Sequence, residues 1–278
     1  MHKFRNFIYN FGIHAFLIII ALSCIFPLLW MISSALKTQA TVFKDMSFIS
    51  AEGAHWENFA IAWSKGGFNI NFLNSLIYTS FVVAGIVFIS SLAAFGFSRL
   101  DFPFKDTIFF MFLAAMMIPL PGSFVPLYVL LVKLGLVNTR IGYCFSMINV
   151  GLSLSIYLLK TFFDKLPRDL EDAARIDGCS RIGILWNVAF PLARPAIGIV
   201  MIFNTLNVWN EYILALIILQ TKNLMPLQRG LMVFQGQHIT EYPLLMAGIT
   251  ITILPIIVAY LFMQKFIIKG LTTGALVG

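Results

Sequence analysis

The chain has 278 residues, of which 59% are hydrophobic and only 11% charged, with a net charge of +7. A soluble domain carries about 25% charged residues, and a fold of this size has too little interior to hide so much apolar surface. These figures exclude a soluble enzyme, a disordered chain and a disulfide scaffold, and leave an integral membrane protein with several spanning helices. Cys24, Cys144 and Cys179 form no CxxC pair, and His2, His14, His55 and His238 form no HExxH or Cys/His cluster. Free thiols and no metal site are expected.

Six apolar segments follow one another, at about Phe11–Leu36, Leu73–Phe97, Thr107–Val132, Ile141–Phe163, Pro195–Leu219 and Pro243–Gln264. Each reaches the roughly 20 residues that a helix needs to cross hydrocarbon, whereas barrel strands would be about 10 residues long and alternating. The predicted architecture is therefore all-α and polytopic, with six transmembrane helices. The first segment has Lys3 and Arg5 before it and Ser33-Ser34-Ala35 at its end. Its apolar run exceeds the roughly 7–15 residues of a signal-peptide core, so it reads as an uncleaved span. The third is interrupted by Ile118-Pro119-Leu120-Pro121-Gly122 and then Pro126. Such a break costs backbone hydrogen bonds and reads either as a packing kink or as backbone lining a pathway.

Lysine and arginine set the orientation. Twelve of the 19 belong to the N-terminal tail, the second and fourth loops and the C-terminal tail, led by Lys160, Lys165, Arg168, Arg175, Arg181 and Arg194 of the fourth loop. Positive loops stay inside, so both termini and the fourth loop are expected in the cytoplasm and the first loop, about Lys37–Asn71, outside. Cations spread over short loops set topology; they make no nucleic-acid patch.

The fourth loop is long without being glycine-rich. Leu166 to Gly178 reads as a short helix with Pro167 at its first turn, acidic residues in its early turns, a Glu171–Arg175 pair at i,i+4 and Gly178 at a left-handed C-terminal position. Ser180 then caps a second helix, Arg181–Phe190, that Pro191 stops. Ala173 and Ala174 leave a nearly bare side where another surface can come close. A helix lying on lipid would carry bulky apolar residues there, so docking to a cytoplasmic protein is the expectation.

Asp172-Ala173-Ala174 followed by Gly178 resembles the Glu-Ala-Ala…Gly hallmark of the membrane subunits of ABC importers, with Asp for Glu; Val188, Phe190 and Pro191 stand where that family has Ile, Leu and Pro. Over nearly its whole length the chain is similar to the six-span partner of the maltose-type carbohydrate permeases. The residues that carry this are Asn74-Ser75-Leu76-Ile77, Ala93 to Leu100 with Phe102, Met117-Ile118-Pro119 with Pro126-Leu127-Tyr128, Ala173 to Ser180, Trp209-Asn210-Glu211 and Gly270 to Ala275. The resemblance implies a type I ABC importer permease fold, a single transmembrane domain over 1–278 with a coupling loop at about 164–194, and residence in a bacterial cytoplasmic membrane. It implies import of oligosaccharides or other sugars, with a second homologous permease, two copies of a cytoplasmic ATPase and an extracytoplasmic sugar-binding protein as partners. Glu171, Asp172, Ala173, Ala174, Asp177, Gly178 and Pro191 would couple to the ATPase. ATP and Mg would be bound by that subunit, with no cofactor in this chain and no catalytic residue. The sequence has no Gly-Lys dipeptide and hence no GxxxxGK[ST] phosphate loop, which fits a chain that is not an enzyme.

On the fifth span, Asn204, Asn207, Asn210 and Glu211 fall within an arc of about 120° when 100° separates successive residues. Polar groups at that depth face protein or water; they line the pathway or act as interhelical glue. The fifth loop, Thr221–Tyr242, lies outside by topology; from its residues it reads as a solvated loop, while the resemblance implies that Gln228, Gln235, Gln237 and His238 could face substrate. A permease for a polyol or glycerophosphate is the alternative, although phosphate favours a cationic pathway. An autonomous secondary transporter is a more distant one, since no inverted repeat is visible.

Overall fold

In the computed structural model the described residues are 2–50, 52–236 and 239–275. They form helices and no strand; one isolated antiparallel bridge joins Gln235 and Thr240. The helices are α1 (His2–Ala35), α2 (Glu57–Lys65), α3 (Phe68–Arg99), α4 (Lys105–Met116), α5 (Leu120–Lys133), α6 (Arg140–Asp164), α7 (Arg168–Ile176), α8 (Arg181–Ile184), α9 (Phe190–Leu192), α10 (Arg194–Asn210), α11 (Ile213–Ile218), α12 (Leu227–Gly230) and α13 (Tyr242–Ala275). Four stretches are continuous and apolar enough to cross a bilayer: Tyr9–Ala35, Phe68–Arg99, Arg140–Asp164 and Tyr242–Phe262. The third and fifth expected spans are broken. Helices α4 and α5 meet at 108°, at the Pro119 and Pro121 interruption. The fifth, expected as one run to Leu219, stops at Asn210 and restarts as α11.

The chain divides into two compact units, 1–69 with 230–254 and 70–229 with 255–278. In the first, α1 is apolar over Tyr9–Ala35 and its most apolar window is wholly unburied, as suits a helix whose surroundings lie outside its own chain. Phe68 and Phe234 are buried edge to face at 6.3 Å. Gln39 joins the two stretches of this unit, donating to the Thr240 carbonyl (2.8 Å) and accepting from the Tyr242 amide (3.0 Å). In the loop after α1, the Ser47 amide and hydroxyl donate to Asp45 and hold its carboxyl below the usual range.

The second unit is built around α6, which packs on α3, α4 and α10 with Tyr78, Ile86, Tyr143, Ile156, Leu159 and Val200 buried at the centre. Three α3 side chains fasten the start of the fifth loop. Asn74 donates to the Asn223 and Met225 carbonyls, Tyr78 to that of Leu224, and the Ser75 hydroxyl accepts from the Leu227 amide. Asn138 sits at φ +57°, a conformation asparagine tolerates, and receives the Gln220 and Thr221 amides at the end of α11. Gly151 lets α6 approach α3 and α10: a Cβ there would overlap the Asn204 side chain and Ile86. Gly151→Leu should therefore force these helices apart, at a cost of about 1–3 kcal/mol for overpacking, and lower the thermal midpoint of the purified protein. Gly96→Ala, inside α3 and with nothing within 4 Å of its added methyl, should hold or slightly raise it, because alanine restricts the unfolded chain more than glycine does.

Candidate functional site

The fourth loop folds into α7, a bend, α8, a π-helical turn over Leu185–Ala189 and α9. The bend forms as its sequence dictates. Gly178 has φ +82°. Its amide bonds the Arg175 carbonyl and the Cys179 amide bonds that of Ala174, so the last carbonyls of α7 are satisfied by a left-handed C-terminal turn. Beyond it, the Ser180 hydroxyl accepts from the Gly183 amide at 3.1 Å and caps α8. Pro167 stands one residue earlier than expected, as the N-cap of α7.

Pro191 does not stop the second helix. The chain stays helical to Leu192, because the wider π turn just before the proline shifts the hydrogen-bond register at the point where proline has no N–H to give. The segment from Arg181 to Leu192 then meets α10 at 79°.

The two sides of α7 differ. Its inner side carries Glu171 and Ala174. Glu171 is 4% exposed and forms a buried ion pair with the Nε of Arg99 at the end of α3. Arg99 also donates to the Leu166 carbonyl (2.9 Å) and to Ser98 Oγ, and Ser98 in turn donates to Asp164, which Lys160 pairs at 2.8 Å. The expected Glu171–Arg175 pair is therefore absent: burial draws Glu171 to Arg99, and Arg175 bonds Asp172 at 3.1 Å instead. Ala174 packs against the chain's own core and is not part of a bare outer side. The outer side carries Leu170, Ala173 and Ile176, with Asp172 and Asp177 flanking; Ile176 is 88% exposed, and Ile182 of α8 is 66% exposed. It is more apolar than the alanines alone suggested.

The second half of the loop reaches α3. Trp186 stacks on Phe88 at 5.9 Å and contacts Phe190 at 4.9 Å. These rings form one wall of an open groove of about 610 Å³, whose other lining includes Thr79, Met201 and Thr205. Arg99, Trp186 and this groove were not singled out as site features by sequence reasoning; the Ser98-Arg99 pair at the end of a span was the available signal.

The polar arc of the fifth span separates into three environments. Asn204 is buried and donates to Ser155 Oγ (3.0 Å) and the Val200 carbonyl (2.8 Å), so it ties α10 to α6. Asn207 and Asn210 are exposed, and Asn210 Oδ1 accepts from Gln228 of the fifth loop at 3.3 Å. Glu211 is not on a continuous helix: the backbone turns extended there, and its carboxylate accepts from the Leu214 and Ala215 amides (2.5 and 3.0 Å), with the Tyr143 hydroxyl at 3.3 Å. It caps the first turn of α11. Gln235 is exposed in the first unit; Gln237 and His238 lie outside the described residues. Among the described residues no cluster of His, Cys, Asp or Glu could hold a metal.

Spanning helices, a capped two-helix loop fixed to one of them and a discontinuous fifth span define a membrane permease subunit. Residues 71–273 match the family model "Binding-protein-dependent transport system inner membrane component", and the chain belongs to that family, the permeases of ABC importers. It is 30% identical over 280 residues to the arabinooligosaccharides transport system permease protein AraQ of Bacillus subtilis, covering 100% of this chain and 99% of that one. It is 33% identical over 269 residues to the trehalose/maltose transport system permease protein MalG of Thermococcus litoralis, covering 94% of each. Its fold matches, with TM-score 0.79 at 23% identity over 94% of this chain and 96% of the other, a chain from the crystal structure of a bacterial ABC transporter involved in the import of the acidic polysaccharide alginate.

The Arg99–Glu171 pair yields a test. Removing one partner strands a buried charge, at a cost of about 3–5 kcal/mol, whereas replacing both with apolar residues is often near neutral. Arg99→Met and Glu171→Met should each lower the thermal midpoint of the purified protein, and the double variant should recover most of the loss. Additive losses would contradict the pairing.

Proposed function

We propose that this chain is one half of the translocation pathway of an ATP-driven oligosaccharide importer, working as a single transmembrane domain in a bacterial cytoplasmic membrane with both termini and the 164–194 loop in the cytoplasm. A second homologous permease supplies the other half. Two copies of a separate ATPase bind ATP and Mg below the membrane, one on this chain's coupling loop, and an extracytoplasmic binding protein delivers the sugar. Two relatives named for arabinooligosaccharides and for trehalose and maltose support the substrate class. The exposed Asn207 and Asn210 add amides suited to hydroxyl-rich solutes.

The observation that carries the coupling role is the asymmetry of α7. Its inner side is fixed by Arg99 and its outer side leaves Leu170, Ala173 and Ile176 uncovered. An ATPase that closes on ATP pushes on this outer side; the Arg99–Glu171 pair passes the displacement to α3, and Trp186 passes it to the groove wall at Phe88. Asp172 and Asp177 flank the contact, Gly178 keeps the bend, and Pro191 sits where the loop rejoins the membrane helix.

The test is co-purification of the ATPase, followed by uptake of labelled oligosaccharides by the assembled transporter. Ala173→Trp wedges the outer side apart, and Ile176→Asp places a charge in an apolar contact. Each should reduce ATPase recovery and uptake at least tenfold, while amounts of the chain in the membrane stay normal. Parental recovery and uptake in both variants would overturn the coupling role. Uptake of polyols or glycerophosphate, with no oligosaccharide transported, would overturn the substrate class.

A further inference from the structure

Within the first unit, side chains from the first loop and from α2 converge on one stretch of the fifth loop. Gln39 Nε2 donates to the Thr240 carbonyl at 2.8 Å, and Gln39 Oε1 accepts from the Tyr242 amide at 3.0 Å. Lys65 Nζ reaches both carboxylate oxygens of Glu241, at 2.8 and 2.6 Å. The Phe43 ring meets that of Tyr242 edge-on, with centroids 4.7 Å apart. The stretch they hold is the neck of a turn. An antiparallel bridge pairs Gln235 with Thr240, the Gly236 amide donates to the Ile239 carbonyl, and the Glu241 amide donates to that of Phe234. Gly236 permits this closeness, since a Cβ on it would lie 2.8 Å from the Ile239 carbonyl oxygen.

Each holding residue is itself fixed. Gln39 stands in a turn closed by the Thr41 and Val42 amides on the Thr38 carbonyl, at 3.2 and 3.0 Å. Its amide offers a donor and an acceptor side by side, the pair a neighbouring strand would offer. Lys65 ends α2, where Gly67 at φ +62° turns the chain into α3. Gln39 thus takes the backbone on either side of Glu241, and Lys65 takes its side chain. These contacts are poor sources of stability. Gln39 is exposed, and the Lys65 and Glu241 side chains keep 45% and 40% of their surface. An exposed ion pair is screened by water and costs two long side chains their freedom. The unit is held by buried contacts such as Phe68 on Phe234. What a polar clasp does supply is one orientation for the segment it grips, here with Gln235 and Ile239 exposed. A segment ordered in advance removes ordering cost from a later binding step.

We propose that Gln39 and Lys65 are positioning residues, which set the fifth-loop neck in one orientation before the extracytoplasmic binding protein docks. They act through Thr240, Glu241 and Tyr242 and touch no sugar. This rests on the importer reading above, whose topology puts the first and fifth loops on the side where that protein arrives. The second permease is the other surface within the complex, and the experiment separates the two.

The experiment uses the assembled transporter in nanodiscs, carrying Gln39→Met, Lys65→Glu, or Lys65→Glu together with Glu241→Lys. Its ATP hydrolysis is titrated with the purified sugar-binding protein loaded with oligosaccharide. Gln39→Met and Lys65→Glu should each raise the half-saturating concentration of binding protein several-fold. The maximal rate and the recovery of the second permease should stay at the parental level, and the charge exchange should restore most of the loss. Without binding protein, hydrogen exchange in peptides covering 235–245 should quicken several-fold in the two single variants. Unchanged exchange would overturn the clasp. Faster exchange with an unchanged half-saturating concentration would overturn its part in docking, and so would a lower maximal rate alone. Loss of the second permease would make the neck an assembly contact and overturn the proposal equally. A parental transporter whose hydrolysis ignores the binding protein would instead overturn the importer reading, and this inference with it.

Discussion

One buried ion pair organises the fourth loop of this permease. Arg99 ends a 32-residue helix, and Glu171 is the inward-facing residue of α7. Burying two charges offsets most of their attraction, so the pair adds little net stability. Its consequence is geometric. With the Leu166 carbonyl also held by Arg99, α7 has one seat against α3, and the left-handed turn at Gly178 then fixes where α8 and the π turn run. The uncovered outer side of α7, the stacking of Trp186 on Phe88 and the lining of the groove above them all follow from that seat.

Much of this was legible in the sequence because it is local. Apolar run length located all six segments, and the punctuation Gly178-Cys179-Ser180 located the bend and the second cap within a residue. These are short-range backbone requirements that few residue types meet. What the sequence concealed depends on pairs far apart in the chain. Glu171 has a cation four residues on and another 72 residues before it; only burial decides for Arg99, and burial is a tertiary property. The same applies to Ala174, indistinguishable from Ala173 in composition yet turned to the opposite side.

The fifth span shows a second kind of concealment. An angular projection of Asn204, Asn207, Asn210 and Glu211 assumes an unbroken helix. The break after Asn210 has no proline or glycine to announce it. Glu211 makes it stable by supplying the acceptor that the Leu214 and Ala215 amides would otherwise lack. One arc thus becomes an interhelical tie at Asn204, two exposed amides and a capping carboxylate. At Pro191 the error runs the other way, since a residue expected to end a helix is accommodated by the wider turn before it.

The central claim is that α7 and α3 move as one body when the ATPase closes. It is tested by the distance between spin labels at Arg168, exposed at the start of α7 and outside the proposed ATPase contact, and at Leu73 near the other end of α3, about 40 Å from Arg99 along the helix. The distance is measured by pulsed electron–electron resonance in the assembled transporter, without nucleotide and with ATP held unhydrolysed. The account predicts one unchanged distance distribution in both states, and a second, shifted population with ATP once Glu171→Ala removes the pair. A distance that shifts with ATP while Arg99 and Glu171 are intact would contradict it.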